Sequence, residues 1–343
     1  MDKTLLGVID ATTYHLDLDR LIEHRSLAAL PFGGRYRLID FILSGMVNSG
    51  ITSVAIFPKF QYRSLMDHLG SGKNWDLNRK RDGLFFFPSP MLDENKDRIG
   101  SFSHFAANMD YFYRSTQEYS LITNCYTVCN IDFEEILSSH IHANCDITEI
   151  RKNGSSLQMY LVKTALLINL IETHQTTGYS CMEDVIQDTS HSYKVCQYEY
   201  DDFAEMIDSI RSYYEVSMNL LKPNVWKSLF LKTRRIYTKV KDEPPTRYLE
   251  GSKVKNAMIA NGGQIEGHIE NSIIFRGVKI GKGSVIKNSI IMQKCQIGEN
   301  CKLDSAILDK DVKVHAGTVL NGSSQSPLVV GKGSVVRGEL MKS

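Results

Sequence analysis

No apolar run in this chain is long enough to cross a membrane: the longest, Ala165–Ile171, falls far short of the roughly 18 residues that a spanning helix needs. Neither sign of charge is in excess, with 40 Lys and Arg against 39 Asp and Glu, so no overall field draws the chain to nucleic acid or to an anionic membrane. Any anion it binds must be bound locally. The N-terminus has neither the basic n-region nor the long apolar h-region of a secretory signal, which reads as cytoplasmic. Its seven cysteines, at 125, 129, 145, 181, 196, 295 and 301, are odd in number and lack paired C-x-x-C spacing, which predicts reduced thiols and argues against zinc. What is left is a globular chain. Its 343 residues, at roughly 150 per domain, allow about two domains, and an apolar content of 42% lets each bury a core.

What is present begins with a repeat. Ile273, Ile290 and Ile307 are spaced by 17, as are Ile280, Ile297 and Val314, and Ile286, Leu303 and Leu320. Gly281 and Gly298 directly follow their isoleucines, and Gly-Lys-Gly-Ser-Val occurs at both 281–285 and 331–335. Three registers on one period predict short strands joined at corners, each coil burying its apolar side chains against the next. This pattern resembles the hexapeptide repeat of left-handed parallel β-helices, expected here over 251–343. An antiparallel sandwich with evenly spaced strands is the alternative, and it has no reason to keep three registers in step.

The first two-thirds of the chain alternates short β-branched runs, Thr4–Ile9, Thr52–Phe57 and Leu121–Cys129, with stretches of helical periodicity, the pattern of an α/β sheet. Phe41, Leu43, Met46 and Val47 lie in a stretch of helical periodicity, and Asn48-Ser49-Gly50 supplies a stop. Asn153-Gly154 between two alternating runs predicts a tight hairpin. An amphipathic helix is expected over 208–221, stopped by Lys222-Pro223, and 222–250 reads as a linker. His140 and His142 are two apart and cannot share a helical face, so no metal pair is expected there. Cys125 and Cys129 read as packed thiols.

The segment Pro31-Phe32-Gly33-Gly34-Arg35-Tyr36-Arg37-Leu38-Ile39-Asp40-Phe41 with Asn48-Ser49-Gly50-Ile51 resembles the signature of the glucose-1-phosphate adenylyltransferases, the ADP-glucose pyrophosphorylases. Gly70-Ser71-Gly72-Lys73-Asn74-Trp75-Asp76-Leu77 is similar to the family's G-x-G-x-x-W-D-L, and Tyr237-Thr238 with Pro244-Pro245-Thr246 to its entry into the β-helix. The resemblance covers nearly the whole chain. It implies an α/β fold: a Rossmann-like nucleotidyltransferase domain, here shortened and occupying 1–221, then the left-handed β-helix. It also implies a tetramer and chemistry that uses magnesium.

The departures from the family pattern bear on function. Attack of a sugar phosphate on ATP requires a phosphate cradle, a metal held by carboxylates, and cations for the sugar phosphate. Where the family has G-G-x-G-x-R-L, this chain has Asp10-Ala11-Thr12-Thr13-Tyr14-His15-Leu16, with no glycine and an added acid. Alignment puts Tyr126 and Met206 where the family carries its metal carboxylates, and neither a phenol nor a thioether suits magnesium. Leu27 stands in place of the nucleotide-side lysine, and the family's E-x-K-P sugar-binding segment is missing. No cofactor is therefore assigned. The resemblance narrows to the family's non-catalytic branch, whose members assemble with a catalytic subunit and modulate it.

Binding is a separate question. Arg35 and Arg37 beside Gly33-Gly34 occupy the family's effector region, which reads sugar phosphates or phosphate, and Arg247 is a third candidate. Gln61 and Tyr62 stand where the family contacts adenine and read more simply as packing residues. The expected partner is a catalytic ADP-glucose pyrophosphorylase subunit. Two rivals stand beside this reading: an active adenylyltransferase with rearranged metal ligands, using Asp132 or Asp110, and an acyltransferase built on the β-helix with His268 or His315.

Overall fold

A computed structural model describes residues 5–59, 61–88 and 99–341. The apolar runs of the first two-thirds form one seven-stranded sheet in the order Val195–Glu199, Ile147–Lys152, Ser155–Lys163, Tyr119–Asn124, Leu5–Ala11, Ser53–Pro58 and Gly83–Phe86. Six strands share a direction and Ser155–Lys163 alone opposes them. Leu5–Ala11 is buried from end to end, as a central parallel strand covered on both faces must be. The Asn153-Gly154 turn has φ of 50° and 75°, the two left-handed positions that a two-residue hairpin requires.

The run 121–129, expected as one strand, is two. Asn124 breaks it, because its Oδ1 accepts from the backbone N–H of Tyr126 (3.0 Å) and of Thr127 (2.9 Å) and so offers the chain a local turn. The second piece, Thr127–Cys129, then pairs antiparallel with Ala204–Met206. The expected helices are present as Leu38–Asn48 and Ile210–Asn219. The stretch 222–250 does not hang free: it opens with helix Pro223–Leu229, and Asn130 Nδ2 donates to the carbonyls of Leu229 (2.8 Å) and Arg234 (2.9 Å).

From Arg247 onward the chain coils into the left-handed parallel β-helix of hexapeptide type. The 17-residue registers are literal neighbours: Ile273 pairs with Ile290 and Ile290 with Ile307, and Ile286 pairs with Leu303 and Leu303 with Leu320. One register departs from expectation. Ile274, Ile291, Leu308 and Val330 fill the coil interior, whereas Ile273, Ile290, Ile307 and Val329 point outward into the core of the sheet domain. A strand buried on both faces reads as consecutive apolar pairs, which is what Ile273-Ile274, Ile290-Ile291 and Ile307-Leu308 are. The two domains thus share a core.

The cysteine reading needs correction. Cys145 and Cys196 form a disulfide, with Cα atoms 6.0 Å apart and a sequence separation of 51. Parallel pairing of Val195–Glu199 with Ile147–Lys152 brings them together, a juxtaposition that sequence spacing does not reveal. The other five, Cys125, Cys129, Cys181, Cys295 and Cys301, are buried thiols outside the disulfide.

Candidate functional site

The carboxyl ends of parallel strands are where α/β sheets bind ligands. In this chain that edge is filled. Asp10 is 1% exposed, and both its oxygens are engaged: Oδ1 accepts from Thr12 N (2.8 Å) and Thr12 Oγ1 (2.6 Å), Oδ2 from Gly100 N (2.6 Å). A buried carboxylate bonded in this way closes the turn on itself and repels a phosphate chain. Leu27 is buried in the short turn Leu27–Ala29.

Tyr126 and Met206 lie at the same antiparallel pairing. Met206 sits opposite Thr127 across the antiparallel pair, and Ile207 N donates to the carbonyl of Tyr126 at 3.1 Å. Tyr126 is buried, its ring edge-on to His15 at 5.1 Å, and its hydroxyl donates to Gln158 Oε1. These donors do not fit a magnesium ion, which asks for carboxylate oxygens and water in octahedral array. The acids of the rival reading are used elsewhere. Asp132 caps helix Phe133–His142 through Glu134 N and pairs with Arg234 at 2.9 Å, while Asp110 is 89% exposed beside Arg114. Among the described residues no group of three His, Cys, Asp or Glu could hold a metal. Of the β-helix histidines, His315 stands exposed at a corner and His268 opens a rung strand.

The second region lies where the sheet domain meets the β-helix. A cleft there has two lobes, of about 510 and 240 Å3, which share Arg37, His68, Lys241 and Arg276. The larger adds His24, Gln61, Arg63 and Lys239; the smaller adds Arg35, Lys294 and Lys310, with Glu243 and Asp311 as its acids. Cations therefore outnumber acids in both.

Four parts of the fold supply the cations of the cleft. The turn Phe32–Arg37 presents Arg35, exposed and lying over the Tyr36 ring at 5.4 Å, and Arg37, whose Nη1 donates to Ser64 Oγ (2.7 Å), Ser64 O (3.1 Å) and Ala29 O (3.3 Å). Burial pushes the Arg37 guanidinium down to about 10, against the pull of Asp40. Helix Arg63–Leu69 supplies His68, whose Nε2 lies 2.6 Å from the buried Asp40 Oδ1 and whose ring packs on Trp75. Burial outweighs Asp40 and pushes His68 below the ordinary histidine range, so it meets Asp40 as a neutral N–H donor. The connecting stretch and the β-helix corners supply the rest.

Of the residues singled out from sequence, the cleft gathers Arg35, Arg37 and Gln61. Tyr62 only precedes the helix Arg63–Leu69. Arg247 is exposed on the first rung, opposite Gln264, and lines neither lobe. Sequence reasoning missed Arg276 and Lys310, although a signal existed: 276, 293 and 310 are 17 apart and so stack at one corner of the coil. It had no means to find Arg25 and Asp309. These two form a buried bidentate pair across the domain junction, with Arg25 Nη2 at 2.9 Å from both oxygens of Asp309.

The fold and its two sites define the class first: a nucleotidyl transferase domain joined to a hexapeptide β-helix. The nucleotidyl transferase family model matches residues 21–155, and the GlmU-like C-terminal hexapeptide model matches 244–326. The chain is 54% identical to the glycogen biosynthesis protein GlgD of Bacillus subtilis over 100% of its own length and 99% of the relative's, and 60% identical to GlgD of Geobacillus stearothermophilus over 99% of both. It is 27% identical to a glucose-1-phosphate adenylyltransferase of Bacillus mycoides, over 88% of this chain and 91% of that one. The chain belongs to the GlgD family of glycogen biosynthesis proteins.

Proposed function

We propose that this chain is a non-catalytic, cytoplasmic regulatory subunit of an ADP-glucose pyrophosphorylase in glycogen biosynthesis. It assembles with a catalytic subunit in a hetero-oligomer, a tetramer by family resemblance, and modulates the conversion of ATP and glucose 1-phosphate to ADP-glucose and pyrophosphate. The observation that carries the reading is the self-satisfied strand edge. Asp10 is bonded to Gly100 and Thr12 where a triphosphate would need donors, and Tyr126 and Met206, at one strand pairing, stand where the family resemblance expects metal carboxylates. A metal clamp supplies several kcal/mol of transition-state stabilisation, and about 1.4 kcal/mol is tenfold in rate, so turnover by this chain alone falls by many orders of magnitude. The cationic cleft supports the second half of the reading, as a site for a sugar phosphate or phosphate effector held by Arg35 and Arg37.

The test is ADP-glucose formation at a fixed amount of the same organism's catalytic subunit, titrated with this chain, including the point where only this chain is present. The expected result is silence at that point and, in the titration, a saturating change in rate or substrate affinity of several-fold to a hundredfold, the span of about 1–3 kcal/mol of coupling. Turnover by this chain alone overturns the non-catalytic reading; a flat titration overturns the regulatory one.

A further inference from the structure

The β-helix corners that line the cleft form a column. Lys294 N donates to the carbonyl of Arg276 (3.0 Å), Asp311 N to that of Gln293 (3.0 Å) and Gly333 N to that of Lys310 (2.9 Å), so Arg276, Gln293, Lys310 and Lys332 follow one another up the coil. Lys310 is the enclosed lysine of this column; Lys294 and Lys332 are exposed. Its surroundings are short of anions. From the sheet domain Arg37 and Arg25 face it, and Lys332 approaches from the coil above. The adjacent acid, Asp309, has both oxygens on Arg25. The rest of the lobe brings Arg35, Lys241, Arg276 and Lys294 against Glu243 and Asp311, with Tyr36 and His68 as its other titratable groups.

Guanidinium groups keep their charge at any pH a folded protein meets, whereas a lysine crowded by cations can release its proton. Burial first, then Arg37 and Arg25, push the Lys310 amine down to about 7. His68 moves down too, through burial, and so titrates on the acid side of this range.

We propose that Lys310 adjusts the charge of the cleft: with no anion present its amine gives a proton to solvent to relieve the crowding, and a dianion entering the lobe draws one proton back, so that anion binding and proton uptake are a single event. This rests on the reading of the cleft as an effector site. The bound proton adds one hydrogen-bond donor to the anion and one unit of charge, which makes the site sense pH as well as effector concentration.

The probe is sulfate, whose charge is constant near neutrality, titrated calorimetrically into the full chain from pH 6.5 to 8.5 in two buffers of different ionisation enthalpy. One linked proton changes affinity by at most about tenfold per pH unit, so a loss of roughly tenfold is expected between pH 7 and 8.5, with the buffer-dependent heat reporting proton uptake that approaches one at the alkaline end. Lys310→Arg, which keeps the charge, is expected to bind sulfate with less than about a twofold change over that interval. Lys310→Met should bind at every pH as weakly as the wild type does at pH 8.5. Sulfate binding without proton uptake, or a Lys310→Arg protein with the wild-type slope, overturns the proposal while leaving the cleft an anion site. No sulfate binding at any pH overturns the cleft reading itself and this inference with it. The buffer comparison on the wild type stands even if a variant fails to fold.

Discussion

Two polar regions of this molecule differ in how their side chains are matched. At the carboxyl edge of the sheet the buried Asp10, Asn124 and Tyr126 have their partners within the chain, and hydroxyls such as those of Thr13 and Thr123 are left over: Asp10 has Thr12 and Gly100, Asn124 has the Tyr126 and Thr127 amides, Tyr126 has Gln158. In the cleft, Arg35, Arg37, Arg276, Lys241 and Lys310 gather around few acids. A matched site is a piece of core, and a surplus of one charge is a site waiting for its counter-ion. Sequence motifs alone point first to the strand edge, because the carboxyl ends of parallel strands are where α/β sheets bind ligands. The pairing of groups points to the cleft.

The first way to break this comparison is to spoil the junction that forms the cleft's wall. Arg25 and Asp309 are 3% and 2% exposed, and removing one member of such a pair leaves a buried charge without a partner, at a cost of about 3–5 kcal/mol. Asp309→Ala should therefore lower the unfolding free energy, read by denaturant titration, by that much, and replacing both residues with apolar ones of similar volume should recover most of it. A loss under about 1 kcal/mol for the single variant would mean that the pair is not closed to water.

A smaller effect is expected on binding. Arg276→Met removes one charged donor from both lobes and should weaken sulfate binding about tenfold, with the folded state unchanged by circular dichroism. If affinity holds, the cations of the sheet domain carry the site alone. Smaller again is an acid-side effect from His68. Because its folded value lies below its unfolded value of about 6.5, the unfolded chain binds the proton first. Its contribution to stability is full above pH 6.5 and is lost as pH falls below it, at no more than about 1.4 kcal/mol per pH unit. His68→Gln should flatten the urea-midpoint profile between pH 6.5 and 5 relative to the wild type, and parallel profiles would refute the assignment.

How far the sequence carries depends on the range of the contact. Local rules suffice for the Asn153-Gly154 turn and for helix Leu38–Asn48, and a fixed period suffices for the β-helix, whose rungs are neighbours by counting. The period also held the cleft's column, since Arg276 and Lys310 are two steps of 17 apart, but nothing in the repeat says which corner faces the other domain. The outward register of Ile273, Ile290 and Ile307 is ambiguous in sequence for the same reason: an apolar pair marks a strand covered twice without naming the cover. The Cys145–Cys196 disulfide and the Arg25–Asp309 pair, 284 residues apart, arise only from tertiary pairing.

The sharpest form of the comparison asks whether the matched edge can be returned to chemistry by supplying the groups it lacks. Tyr126→Asp with Met206→Asp would restore a carboxylate at each position where the family resemblance expects one, at one antiparallel pairing. The expected gain in ADP-glucose formation by the double variant alone, with magnesium, ATP and glucose 1-phosphate supplied, is none. Asp10 would still lie at the strand end with its oxygens on Gly100 and Thr12, Leu27 would still give no cation to the nucleotide, and the new acid buried at 126 would repel the phosphates. Catalysis needs charge stabilisation and positioning at once, and a metal without a cradle supplies neither in the right place. Magnesium-dependent turnover by the double variant would show that the two substitutions alone separate this chain from an enzyme, and that the pairing around Asp10 is incidental.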